Sequence, residues 1–150
     1  MKKYLLLFSL FIISLSACKK GDVTSEQAAV DDAKIQAYIK ANNINATKDA
    51  SGIYYQVIRA GTGAYPTTSS TVKITYTGKY LNGQQFDSSQ SVSLLLSGTV
   101  QGFQLGIPHI NNGGRILLIV PSALGYGTAG TGVVPANSVL VFTVDLISFF

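Results

Sequence analysis

In the stretch Thr71-Val72-Lys73-Ile74-Thr75-Tyr76-Thr77-Gly78-Lys79-Tyr80-Leu81-Asn82-Gly83-Gln84-Gln85-Phe86-Asp87-Ser88-Ser89, apolar Val72, Ile74 and Tyr76 alternate with polar neighbours as far as Gly78. Alternation with period two is the mark of a strand that buries one face. Asn82-Gly83 then signals a tight reversal. On the residues alone, Phe86-Asp87 reads as a strand end followed by an Asp turn. Working outward, Ile53–Ile58 is an upstream strand, and Gly61–Ser70 is a loop holding Pro66 and several hydroxyl residues. Downstream, Val92–Leu96 is a short strand and Gly102–Ile107 has room for a short helix. Arg115–Val120 is a strand stopped by Pro121, Gly125–Pro135 is a Gly-rich loop, and Val139–Ile147 is the last strand. Strands dominate and no βαβ alternation occurs. The class is therefore α+β, an antiparallel sheet with one small helix.

Upstream of this region the pattern changes. Ser25-Glu26-Gln27-Ala28 suits a helix start. Val30, Lys34, Ala37, Tyr38 and Ala41 recur at helical spacing with Ile35 and Ile39 beside them, which predicts one amphipathic helix over about 25–42. Asn42-Asn43 is its stop. Such a helix must dock on the domain or on a partner.

Charge limits the partners. The formal net charge of the 150 residues is +4, but Lys2, Lys3, Lys19 and Lys20 lie at the N-terminus. From Ser51 onward the cations are Arg59, Lys73, Lys79 and Arg115, against Asp87 and Asp145. There is no basic stripe to neutralise a row of phosphates, so nucleic acid is not an expected partner. The single cysteine, Cys18, can form no internal disulfide, and no spacing of ligands suggests a metal site.

The first residues read as a secretory leader: Lys2-Lys3, an apolar run Tyr4–Ile13, and the small-residue site Ser14-Leu15-Ser16-Ala17. The run is shorter than the roughly 20 residues a membrane-spanning helix needs. Leu15-Ser16-Ala17-Cys18 resembles the bacterial lipobox, which implies that Cys18 becomes the acylated first residue of the mature protein. The expected division is a signal peptide at 1–17, a lipidated N-terminus and tether at 18–24, a helical extension and linker at 25–50, and a folded domain at 51–150. The expected place is the bacterial cell envelope, anchored in a bilayer through Cys18.

Six segments, in order and with similar spacing, resemble the FKBP-type peptidyl-prolyl cis-trans isomerase domain. They are Thr75–Gly78, Gly83–Ser89, Gly102-Phe103, Gly125–Gly127, Val133–Asn137 and Leu140–Leu146. Each alone is weak; together they cover about Gly52 to Phe149. The resemblance implies a curved antiparallel sheet wrapped over a short helix, with an apolar pocket between them. It implies catalytic roles for Asp87, Tyr126 and Phe103, and substrate-binding roles for Tyr76, Phe86, Val100, Val134 and Phe142. Phe103 would form the floor, where the best-known members carry tryptophan. Tyr126 would donate to a substrate carbonyl, the Val100 N–H would bind a second one, and Asp87 would polarise the rim. Proline-containing polypeptides are the implied substrates, macrolide inhibitors are implied ligands, and no cofactor is required. A peptide-binding or chaperone lipoprotein without turnover is the alternative.

Other strings lead elsewhere and are set aside on context. Gly125-x-Gly127-x-x-Gly130 matches a dinucleotide fingerprint, but no complete strand precedes it and no helix follows. His109, the only histidine, sits after Pro108 in a turn-like setting, so a Ser-His-Asp triad is not expected. Gly106 and Pro108 fall where the family's helix runs, which predicts a short or kinked helix.

Overall fold

A computed structural model describes residues 23–150; the expected signal peptide at 1–17 and Cys18 lie outside the described residues. The chain forms helix α1 (Val23–Ala41), strands β1 (Thr47–Lys48), β2 (Tyr54–Arg59), β3 (Thr71–Tyr80) and β4 (Gln85–Leu95), helix α2 (Gln101–Gly106), and strands β5 (Arg115–Val120) and β6 (Leu140–Phe149). The strands make one antiparallel sheet in the order β1-β2-β5-β6-β3-β4. This is the α+β arrangement expected, with an N-terminal helix and a short helix against the sheet.

The apolar pattern explains the layers. Ile116, Leu118 and Val120 of β5 face inward with Val72 and Ile74 of β3 and with Leu140, Phe142, Val144 and Leu146 of β6; α2 and the turn after it cover them with Phe103, Ile107 and Ile110. But Arg115–Val120 is apolar without alternation after its first residue. A strand of that kind needs cover on both faces. The second cover is α1: Ile35, fully buried, packs with Tyr54, Ile119, Val139 and Val141 on the outer face, flanked by Tyr38, Ile39 and Leu117.

The docked face of α1 differs from the one suggested by spacing. Val30 is 43% exposed, whereas Asp31 is 1% exposed and lies one turn before Ile35. A carboxylate occupies the docked face, so the spacing placed that face off-centre. The stop is as expected. Asn43 takes φ 52, and the N–H groups of Asn43 and Ile44 donate back to the carbonyls of Lys40 and Ile39, a Schellman closure.

Strand β4 is longer than the expected Val92–Leu96. It begins at Gln85 because the Asn82-Gly83 turn returns the chain directly: Gly83 has φ 87, and the Tyr80 N–H donates to the Gln84 carbonyl. The pairing shifts register between Ile74 and Tyr76, where Ser91 adopts φ 57. β4 is an edge strand, so its first half is held by one neighbour and needs no apolar alternation. Its composition therefore hid it.

Helix α2 stops at Gly106, and residues Ile107–His109 continue as a 3-10 turn containing Pro108, in line with the expected short helix. Its two glycines have steric work: a Cβ on Gly102 would lie 2.6 Å from a Val120 methyl, and one on Gly106 would lie 2.4 Å from a Leu118 methyl. Their absence lets the helix backbone rest on β5 and brings Phe103 down onto the sheet.

Candidate active site

Strand β3 contributes Tyr76, β4 contributes Asp87 and Leu94, and β6 contributes Phe142. The turn Leu96–Gly98 leads through Thr99 to Val100, the residue before α2, and α2 contributes Phe103. The loop after β5 contributes Tyr126. These side chains, with Gly98, line a depression of about 310 Å³. Six residues named from the sequence thus meet in one place: Tyr76, Asp87, Val100, Phe103, Tyr126 and Phe142.

The floor is an aromatic lattice. Phe103 stands edge-on to Phe142, with centroids 4.8 Å apart and planes at 74°, and edge-on to Tyr76 at 5.6 Å and 80°. Such T-shaped pairs place the positive ring edge against the negative face. Phe103 and Phe142 are buried, which fixes their positions.

Phe86 and Val134 do not line the depression. Phe86 lies behind it, 5.7 Å from Phe142 and 5.0 Å from Tyr80, and the pair Phe86–Phe142 closes over Gly78. Val134 is in the main core and exchanges backbone hydrogen bonds with Thr131. Leu94, Gly98 and Thr99 are lining residues that sequence reasoning missed. Leu94 falls near the end of β4 and the other two in the short β4–α2 connection, where no motif marks them.

The polar groups gather at the rim. The Tyr76 hydroxyl donates to Asp87 Oδ2 at 2.7 Å. Burial, followed by that hydrogen bond and then by the Asp87 charge, pushes the Tyr76 hydroxyl up to about 12. Burial first, and the Asp87 charge second, also raise Tyr126. Both phenols are thereby kept as protonated donors. The Tyr76 proton is already committed to Asp87. Among the described residues, no acceptor takes the Tyr126 hydroxyl proton or the Val100 N–H. The site therefore offers two free donors above an apolar floor, beside one carboxylate.

Chemically, that arrangement can hold carbonyl oxygens and exclude water from a small apolar group. It holds no nucleophile paired with a base. Among the described residues no group of three His, Cys, Asp or Glu side chains could hold a metal ion. His109 stacks on Tyr55 at 4.0 Å and is not among the lining residues.

The sequence profile of the family described as FKBP-type peptidyl-prolyl cis-trans isomerase matches residues 63–147. The chain is 37% identical over 128 residues to the FKBP-type peptidyl-prolyl cis-trans isomerase FkpA of Escherichia coli (strain K12), covering 81% of this chain and 47% of that protein. It is 34% identical over 134 residues to a probable FKBP-type peptidyl-prolyl cis-trans isomerase of Haemophilus influenzae, covering 85% of this chain and 55% of that one. The chain thus spans about half the length of these curated relatives. Among solved structures, the crystal structure of FkpA from Escherichia coli superposes with a TM-score of 0.73 at 34% identity, covering 85% of this chain and 62% of that one. The crystal structure of AtFKBP13 superposes with a TM-score of 0.65 at 27% identity, covering 69% of this chain and 98% of that one.

Proposed function

The chain belongs to the FKBP-type peptidyl-prolyl cis-trans isomerase family, and on that premise we propose that its aromatic depression rotates X-Pro bonds in incompletely folded secreted or envelope proteins. The observation that carries this reading is the pair of free donors, the Tyr126 hydroxyl and the Val100 N–H, above the Phe103–Phe142–Tyr76 floor.

An X-Pro amide resists rotation with a barrier of about 18–20 kcal/mol, because resonance gives its C–N bond double-bond character. Rotation breaks no covalent bond and needs no cofactor. What must be favoured is the twisted amide, which has lost resonance. The aromatic floor supplies a dry cradle for the proline ring, stabilising a form less dependent on solvation of a polarised carbonyl. Tyr126 and the Val100 N–H hold neighbouring carbonyls in place, so binding energy from the peptide favours the twisted geometry. Asp87 accepts the Tyr76 hydroxyl proton, and burial first, with the Asp87 charge after it, raises both rim phenols. Phe86 acts from behind, by fixing the Phe142 ring, and Val134 acts by filling the core below the Tyr126 loop. Uncatalysed exchange takes roughly tens to hundreds of seconds, long enough to limit folding. Macrolide inhibitors would compete for the same cradle.

The lipobox-like Leu15-Ser16-Ala17-Cys18 supports a lipid anchor on Cys18 and a place in the bacterial cell envelope. Each buried acyl methylene adds about 0.8 kcal/mol, so two or three chains hold firmly. Metabolic labelling with a fatty-acid analogue is expected to mark the wild type and not Cys18→Ser; equal labelling would rule the anchor out.

The catalytic reading is tested by comparing full-chain variants on an X-Pro peptide. Tyr126→Phe removes one donor, so kcat/KM should fall about five- to tenfold, the equivalent of one hydrogen bond. Asp87→Ala should also lower it. Saturable peptide binding without any rate enhancement would instead identify a binding or chaperone module.

A further inference from the structure

We infer that Asp31, on the N-terminal helix and outside the matched domain profile, is a positioning residue that holds Tyr126 in the pocket through Ser122. The inference rests on the reading of the depression as the isomerase site.

The observation begins with a cost. Asp31 is 1% exposed on the docked face of α1, and a buried carboxylate is unfavourable unless its oxygens are engaged. Both are. Oδ1 accepts from Gln27 Nε2 at 2.8 Å, one turn earlier on the same helix, so the carboxylate is braced from its own element. Oδ2 accepts the Ser122 N–H at 2.8 Å, across a separation of 91 residues, in a buried setting. An apolar residue would dock α1 on the sheet as well as Ile35 does. The carboxylate is specific to the Ser122 amide.

Ser122 is in turn the post to which the Tyr126 loop is tied. It opens the 3-10 turn Ser122–Leu124, directly after Pro121 ends β5. Its carbonyl accepts the N–H of Gly125 at 3.0 Å and that of Gly127 at 2.8 Å, the residues on either side of Tyr126. The other backbone ties near Tyr126 are Leu124 N–H to the Pro121 carbonyl at 3.0 Å and, from further along the loop, Gly130 N–H to the Tyr126 carbonyl at 3.1 Å and Asn137 N–H to the Gly127 carbonyl at 2.9 Å. That loop has no strand partner, and Gly127 and Gly130 both take positive φ. A loop without a strand partner does not aim a side chain by itself. Ser122 joins the start of the loop to the packed body of the protein, as the Tyr80 hydroxyl on the Val133 carbonyl and buried Val134 join its far end, and Asp31 fixes the Ser122 amide. The helix thus becomes part of the active-site scaffold as well as a cover for the sheet.

The test uses the full chain with 13C-labelled tyrosine rings and the variants Asp31→Ala, Asp31→Asn, Tyr126→Phe and Asp31→Ala/Tyr126→Phe. The Tyr126 ring resonances are expected to shift in Asp31→Ala, while those of Tyr65, on the exposed 61–70 loop, stay in place. This readout needs no turnover, so it separates the inference from the catalytic reading. On an X-Pro peptide, kcat/KM should fall about fivefold in Asp31→Ala, the equivalent of one hydrogen bond. It should recover in Asp31→Asn, which keeps an acceptor oxygen, and should fall no further when Asp31→Ala is added to Tyr126→Phe. If Asp31→Ala does not fold, Asp31→Leu, which keeps the volume without an acceptor, takes its place. Unmoved Tyr126 resonances, or losses that multiply in the double variant, would overturn the inference. A Tyr126→Phe variant with full activity but a shifted ring in Asp31→Ala would instead count against the catalytic reading and support the positioning.

Discussion

Gly78 lies behind the pocket wall against Phe86 and Phe142, and replacing it tests how tightly the aromatic lattice is built. A Cβ at this position would sit 2.7 Å from Phe86 Cζ and 2.8 Å from Phe142 Cε1. Both distances are far inside van der Waals contact. Neither ring can yield easily: Phe142 is 2% exposed, and Phe86 is wedged between it and Tyr80. Gly78→Ala should therefore cost about 1–3 kcal/mol in overpacking. Lost freedom of the unfolded chain returns about 0.4–1 kcal/mol. From the middle of each range the net destabilisation is about 1.3 kcal/mol, a fall in Tm of roughly 4–8 °C for a domain of this size. Because Phe142 lines the depression, peptide affinity should weaken as well. Thermal unfolding followed by near-ultraviolet circular dichroism gives the first quantity, and peptide titration gives the second. Phe86→Leu removes one of the two obstructing contacts and leaves Phe142, so Gly78→Ala should cost less in a Phe86→Leu background than in the wild type. An unchanged Tm in Gly78→Ala, or an equal loss in both backgrounds, would refute this account of the wall.

Two further expectations concern the helix and the rim. Ile35→Ala removes the fully buried anchor of α1 and should lower its local stability by about 2–5 kcal/mol, read as faster amide hydrogen exchange across residues 31–40; unchanged protection would mean that the helix is held by other contacts. Tyr76 has a folded value of about 12 against an ordinary 10.0, so the fold favours its protonated form. Its contribution is whole below pH 10 and is lost as pH rises through about 12. Between these limits Tyr76→Phe should lose less stability with pH than the wild type, and parallel curves from denaturant unfolding would contradict that assignment.

What could be read from the residues depended on whether a residue's neighbours in space were also its neighbours in pattern. β3 was legible because Val72, Ile74 and Tyr76 alternate on one half-buried strand. The helix stop was legible because Asn43 in the left-handed region is a local property of the chain. The first half of β4 was not, since an edge strand with a polar run such as Asp87-Ser88-Ser89-Gln90 carries no burial signal. Nor was the docked face of α1, because Asp31 satisfies its carboxylate with a backbone amide 91 residues away. The site shows the same division. Tyr76, Asp87, Val100, Phe103, Tyr126 and Phe142 line one depression. Phe86 and Val134 lie in the layer behind, because a motif preserves a side chain's identity without saying which side of the wall it faces.

The most direct test of the central claim is NMR exchange spectroscopy on a short X-Pro peptide mixed with a catalytic amount of the full wild-type chain. Cis and trans proline resonances that exchange on the timescale of a second or faster, against the roughly tens to hundreds of seconds of the free peptide, are the predicted result. A correctly folded protein that binds the peptide and leaves its exchange at the uncatalysed rate would contradict the account.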